Sequence, residues 1–128
     1  MPEKLSIRAL VNGEEVGVLV DTGAQVTVVS KRLTERIRGV ETAWRGPELR
    51  MADGRLSRPT KGVTYRVRVG SKEGVVRAVV VDTAHYDVLL GLDFLEEIGA
   101  VIDLRDRSVV AGDEIRAPLR EPAGIVYS

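Results

Sequence analysis

Val18-Leu19-Val20-Asp21-Thr22-Gly23-Ala24 is the stretch on which the reading of this chain turns. Three apolar residues, the makings of a buried strand, stop at a carboxylate. A hydroxyl residue, a glycine and an alanine follow. A carboxylate is costly to bury unless it is paired, protonated or hydrogen-bonded. One placed at the mouth of a buried strand, on a tight loop of small residues, is what an acid/base site needs. The bare Asp-Thr-Gly tripeptide is a weak signal, because ordinary residue usage yields it in roughly one chain in forty of this length. Asp-x-Gly is also common turn chemistry. The apolar lead-in strengthens the functional reading, and a second segment near residue 90 strengthens it further.

The 128 residues suit one domain, residues 1–128, with chain enough for a core that needs no staples. Nineteen Lys and Arg balance 19 Asp and Glu, so the formal net charge is zero. That is not the basic footprint of a nucleic-acid binder, and no nucleic-acid partner is expected. The absence of cysteine excludes disulfides, thiolate catalysis and Cys-based zinc sites. A single histidine, His85, cannot support a His-rich metal site. No Gly-x-Ser-x-Gly elbow is present for it to serve, and it reads as a polar loop residue. Neither metal nor cofactor is expected. The sequence shows no signal-peptide pattern and no apolar run long enough to span a bilayer. A cytoplasmic protein without a membrane partner is the expectation, either whole or as a domain of a longer chain.

Leu5, Ile7, Ala9 and Val11 alternate with other residues as in a half-buried strand. Asn12-Gly13 then signals a hairpin, since both turn positions tolerate positive φ. Val16, Val18 and Val20 return to Asp21. After a β-branched run at 26–29, Ser30 can cap a helix over residues 31–38. Leu33 and Ile37 lie on one face of it, and Gly39 ends it. Residues 40–47, with Trp44, Gly46 and Pro47, read as a loop. Residues 48–51 read as a strand entering a second turn at Ala52-Asp53-Gly54-Arg55. Alternation over 63–69 and a partner run over 75–81 form a longer hairpin. Val88-Leu89-Leu90 is a short apolar strand ending at Gly91. Leu92, Phe94, Leu95 and Ile98 suit a short helix stopped by Gly99, and residues 100–104 and 108–111 form a last hairpin. Trp44 and Tyr65 read as packing residues. The chain is thus mainly β with one or two short helices, in a closed barrel or a sandwich.

Three features, in order, resemble the retropepsin-like aspartic peptidases. They are Asp21-Thr22-Gly23-Ala24 after an apolar strand, a hairpin with Ala52-Asp53-Gly54 at its tip, and Val88-Leu89-Leu90-Gly91-Leu92-Asp93-Phe94-Leu95. The resemblance covers about residues 5–110. It is closest to gypsy-type retrotransposon proteases and to the protease domain of the DNA-damage-inducible ubiquitin-shuttle proteins. Both tend to carry Gln where this chain has Gln25. It implies the closed β-barrel of the acid-protease fold, acting as a homodimer. It also implies an aspartic endopeptidase that hydrolyses extended polypeptide with water activated by two carboxylates sharing one proton.

That chemistry needs two Asp residues, and the chain holds one Asp-Thr-Gly. Asp82-Thr83-Ala84 lacks the glycine and reads as a loop turn; Asp93 reads as a helix-start or structural-pair residue. The second carboxylate must therefore come from a second copy on a twofold axis. By resemblance, the catalytic set is Asp21 as general acid/base, Thr22 interlocking the two loops across the axis, and Gly23 giving close backbone approach. Ala24, Met51, Ala52, Asp53 and Gly54 would bind substrate, the last four as part of a flap over residues 51–61. The chain departs from the retroviral pattern at its charged flap tip. It departs again at Leu92, which replaces the arginine of a dimer-stabilising ion pair, and at Gln25 and Val26, which replace its acidic partners. The dimer must be held otherwise, and residues 121–128 are a candidate for interchain strands, with a disordered end as the alternative. A dimeric peptide-binding or scaffold module of the same fold, with little proteolytic activity, is the other functional reading.

Overall fold

A computed structural model describes residues 5–46, 48–51, 54–111 and 115–120. The first hairpin forms where the alternation places it. Strand β1 (Leu5–Val11) pairs antiparallel with β2 (Glu14–Val20) in a register that sets Leu5 opposite Val20 and Val11 opposite Glu14. Asn12 and Gly13 take φ of 47° and 87°, the geometry the Asn-Gly turn permits at low cost. Leu5, Ile7, Ala9, Val11, Val16, Val18 and Val20 all point into the core.

A short strand, β3 (Val28–Ser30), leads into helix α1 (Lys31–Arg36). The Ser30 hydroxyl accepts from the Leu33 amide at 3.0 Å, which is the expected N-cap. Leu33 and Ile37 are buried as the four-residue spacing predicts, but the helix stops at Arg36, two residues early, with Ile37 extended. Strand β4 (Val40–Ala43) occupies part of the stretch expected to be a loop. It pairs with residues 61–64 of β7 (Lys61–Val69). All four of its residues are exposed, so no buried face betrays it in the sequence.

Strands β5 (Leu49–Arg50) and β6 (Leu56–Ser57) make a separate two-stranded hairpin. Strand β7 pairs along its length with β8 (Lys72–Val81). Then come β9 (Val88–Leu90), helix α2 (Leu92–Glu97), β10 (Val101–Asp103), β11 (Ser108–Ala111) and β12 (Ile115–Arg120). Gly99, at φ 62°, ends the α2 segment as expected. Strand β12 was not foreseen; its backbone pairs with β11 and with Ser6 and Ile7 of β1. The remainder of the tail, 121–128, lies outside the described residues.

The main sheet runs β10-β11-β12-β1-β2-β9-β3-β8-β7-β4, and a further β1–β7 pairing closes six of these strands into a barrel. The fold is therefore mainly β with a closed barrel and two short helices. One large apolar cluster fills it, from Ile7, Val18 and Leu33 to Tyr65, Leu90, Phe94 and Ile98. The Tyr65 hydroxyl donates to the Ile37 carbonyl at 2.6 Å, and burial, with a smaller contribution from Glu41, pushes its pKa up to about 12.

One feature of the topology places the site. Strand β9 lies between β2 and β3, parallel to the first and antiparallel to the second. Strands β2 and β3 are consecutive in sequence, so the chain leaving Val20 must step across the end of β9 to reach Val28. Residues 21–27 are that crossing, and they meet the β9 chain as it leaves through Gly91.

Candidate active site

Asp21 sits at the start of the crossing and is 6% exposed. Its amide donates to the Leu90 carbonyl at 3.0 Å, which ties the carboxylate to the end of β9. Its Oδ1 accepts from the Gly23 amide at 2.8 Å, and the Ala24 amide donates to the Asp21 carbonyl at 3.2 Å. These bonds are the tight turn that Thr-Gly-Ala allows. Thr22 and Gly23 are exposed at its apex. Asp21 Oδ2 accepts no hydrogen bond, and the carboxylate has no cationic partner, among the described residues.

The β9 side locks this turn in place. The Leu92 amide donates to the Ala24 carbonyl at 2.8 Å, and the Asp93 amide to the Gln25 carbonyl at 3.2 Å. The Thr27 hydroxyl donates to Asp93 Oδ1 at 2.7 Å and accepts from the Gly91 amide at 3.1 Å; the Thr27 amide donates to Asp93 Oδ2 at 3.1 Å. Asp93 Oδ1 also accepts from the Phe94 amide at 2.7 Å, in the first turn of α2. Asp93 is thus the structural-pair residue its position implies. The apolar-apolar-Gly motif has a steric cause, since a Cβ at Gly91 would stand 2.5 Å from the Val26 carbonyl oxygen.

The structure brings Asp21, Thr22, Gly23 and Ala24 together with Gly91, Leu92 and Asp93. Met51 joins a second apolar cluster built on Val28, Val79, Val81 and Leu89, against which Ala24, Val26, Trp44, Leu49 and Tyr86 also pack. That cluster links the Asp21 loop to the β5–β6 hairpin. The Met51 amide donates to the Arg55 carbonyl at 2.7 Å and the Gly54 amide to the Met51 carbonyl at 2.9 Å, with Gly54 at φ 89°. Ala52 and Asp53, at the tip, lie outside the described residues.

Residues 7–97 match the family described as "gag-polyprotein putative aspartyl protease". This chain belongs to that retropepsin-like family. It is 34% identical over 116 residues to DNA damage-inducible protein 1 of Neurospora crassa, covering 82% of this chain and 24% of that protein. It is 33% identical over 114 residues to Protein DDI1 homolog 2 of Mus musculus, covering 84% and 27%. The chain spans about a quarter of the length of these curated relatives. Among solved structures, the retroviral protease-like domain of Ddi1 from Leishmania major has a TM-score of 0.66 at 22% identity, covering 92% of this chain and 94% of that one. EIAV protease, complexed with the inhibitor HBY-793, has a TM-score of 0.63 at 22% identity, covering 77% and 91%. At those identities the likeness speaks for the fold, a retroviral-protease-like barrel.

Three residues of this retropepsin-like site carried no functional reading in the sequence. Thr27 looked like one more β-branched strand residue. Asp87 accepts from the Ser30 hydroxyl at 2.9 Å and from Arg32 Nε at 2.8 Å, with Arg36 at 3.8 Å, and so ties α1 to the start of β9. Burial acts to raise its pKa, but the bonds and charges of Arg32, Ser30 and Arg36 outweigh it and hold the carboxyl below its ordinary value. Tyr86, the neighbouring residue, is half-buried close to Asp21. Burial first and the Asp21 charge second push its phenol above the ordinary value. Leu92 lies with Thr22, Leu95, Glu96, Gly99, Ala100 and Ile102 around a largely apolar depression of about 430 Å³.

Proposed function

We propose that this chain is an aspartic endopeptidase whose active site forms when two copies bring their Asp21 carboxylates together. The observation that carries the reading is Asp21 itself, nearly buried yet served, among the described residues, by a single amide donor to its carboxylate. A carboxylate in that setting is costly unless something else completes it. A second Asp21 sharing one proton does so, because a protonated partner donates a hydrogen bond where a second ionised group would repel. One carboxylate then accepts the proton of the attacking water while the other protonates or bonds the carbonyl oxygen of the peptide. Thr22, exposed beside Asp21, would bond its counterpart across the axis. The depression around Leu92 and Ile102 offers an apolar seam where the retroviral ion pair is missing. The β5–β6 hairpin serves as the flap, with Met51, Ala52, Asp53 and Gly54 near its tip and Ala24 on the floor, over a substrate held as an added β-strand. Membership of the family and the barrel shared with EIAV protease support this reading.

The test is cleavage of a broad peptide library at mildly acidic pH by the wild type and by Asp21→Asn. Cleavage by the wild type alone is expected. Binding of peptide by both proteins without cleavage by either would instead establish a peptide-binding module.

A further inference from the structure

Trp44 stands where the chain leaves the barrel for the β5–β6 hairpin. Its amide donates to the Thr60 carbonyl at 2.9 Å, so the segment between them departs and returns at that bond. The hairpin is a separate two-stranded sheet, paired with no strand of the barrel among the described residues. Two short strands alone are marginal, so the hairpin's position depends on side-chain packing. That packing is the second apolar cluster, against which Leu49 and Met51 of the hairpin, Trp44, and Ala24 of the Asp21 loop all lie. The indole is itself fixed from three directions. Gly62 of β7 lies close to the ring, where a Cβ would stand 3.4 Å from Cε3. Arg77 of β8 lies 5.3 Å from the ring centroid, and its guanidinium is anchored by Nη2 to the Ala43 carbonyl at 2.5 Å and by Nε to the Thr42 hydroxyl at 3.3 Å. Gly46 covers the edge that carries the N–H, where a Cβ would stand 2.6 Å from Cζ2 and 2.7 Å from Nε1. Nε1 is buried and has no hydrogen-bond partner among the described residues. The ring is therefore held by packing and by the cation over its face, and not by its N–H.

We propose that Trp44, clamped by Arg77, is the positioning residue that sets the β5–β6 hairpin over the Asp21 loop and so governs capture of a peptide substrate. The proposal rests on the peptidase reading of Asp21 and on the hairpin serving as its flap. Trp44 acts through the hairpin and not on the reacting bond. A hairpin that is out of place part of the time weakens peptide binding by the fraction of chains able to bind. The clamp removes that cost by ordering the hairpin before the peptide arrives. Its loss therefore falls on KM more than on kcat.

The experiment compares the wild type with Trp44→Ala, Trp44→Phe and Arg77→Met. Trypsin cleavage after Arg50 and Arg55, both in the hairpin, reads local opening and needs no peptidase activity. In parallel, kcat and KM are measured on decapeptides, and the same peptides are titrated calorimetrically. Trp44→Ala is expected to speed hairpin cleavage and to raise KM by about tenfold each, with kcat within about twofold. Arg77→Met, a change at an exposed position, is expected to unfold at the wild-type midpoint and to shift both readouts by about threefold. Trp44→Phe keeps a ring and gives up only an N–H without a partner, so it should stay within about twofold of the wild type. Hairpin cleavage within about twofold of the wild type in both Trp44→Ala and Arg77→Met would overturn the proposal and leave the peptidase reading standing. Faster hairpin cleavage with KM unchanged would do the same, as would a loss in Trp44→Phe as large as in Trp44→Ala. Faster hairpin cleavage and weaker peptide binding, with no protein cleaving any peptide, would support the positioning role and overturn the peptidase reading.

Discussion

A Cβ at residue 91 would lie 2.5 Å from the Val26 carbonyl oxygen and 2.9 Å from that of Ala24. Both are backbone atoms that cannot turn aside, so Gly91→Ala must push the Asp21 loop off the end of β9. The expected cost is about 1–3 kcal/mol, read as a lower denaturation midpoint. Thr27 is the other pin, donating to Asp93 and accepting from the Gly91 amide. Thr27→Val keeps the shape but leaves the buried Gly91 amide unpaired, while Asp93 Oδ1 keeps the Phe94 amide, so it should cost about 1–3 kcal/mol in the same measurement. Asp21→Asn is nearly isosteric and should melt close to the wild type, while peptide cleavage falls by about 10²–10⁴-fold. At this scale the sequence showed Asp21 and the strand end at Gly91, because an abrupt carboxylate and an apolar run stopped by glycine are local patterns, while the close approach that demands glycine at 91 is visible only in the fold. Thr27 and Asp87 were hidden, because their partners lie 66 and 57 residues away.

Helix α1 is held to β9 by Asp87, and this junction has a pH signature. The carboxyl's folded pKa lies below the ordinary 3.8. Its contribution is therefore fully present above that unfolded value and is lost as pH falls through the folded one. The pair with Arg32 is partly exposed, which keeps the expected effect to about 1 kcal/mol. Asp87→Asn should be less stable than the wild type at neutral pH by that amount, and the gap should close below pH 3.8 in unfolding titrations. Most strands and both helices were legible because their apolar residues follow a period of two or of about four. Strand β4 was not, since all four of its residues are exposed and pairing with β7 alone makes it a strand. Strand β12 was not legible because Pro118 falls inside it and proline argues against a strand, yet its backbone pairs with β1 and β11.

The whole molecule is a barrel closed by the β1–β7 pairing, with Asp21 at the end of one strand and an apolar depression beside Thr22. The strand pattern alone left a barrel and a sandwich open, because strand order is set by long-range pairing that no local pattern encodes; it was the family resemblance that implied the closed barrel. If the depression is the seam between copies, Ile102→Asp should weaken self-association by at least about tenfold in sedimentation velocity, since an unpaired charge in an interface costs more than 1.4 kcal/mol. Its monomer should keep the wild-type circular dichroism spectrum. The claim that two Asp21 residues share one reaction is tested most directly by mixing. Wild type and Asp21→Asn, equilibrated at a fixed total concentration, should show peptide-cleaving activity that falls with the square of the wild-type fraction, to about a quarter in an equal mixture. Activity that falls in direct proportion, to about one half, would mean that a single chain carries the chemistry and would contradict the account.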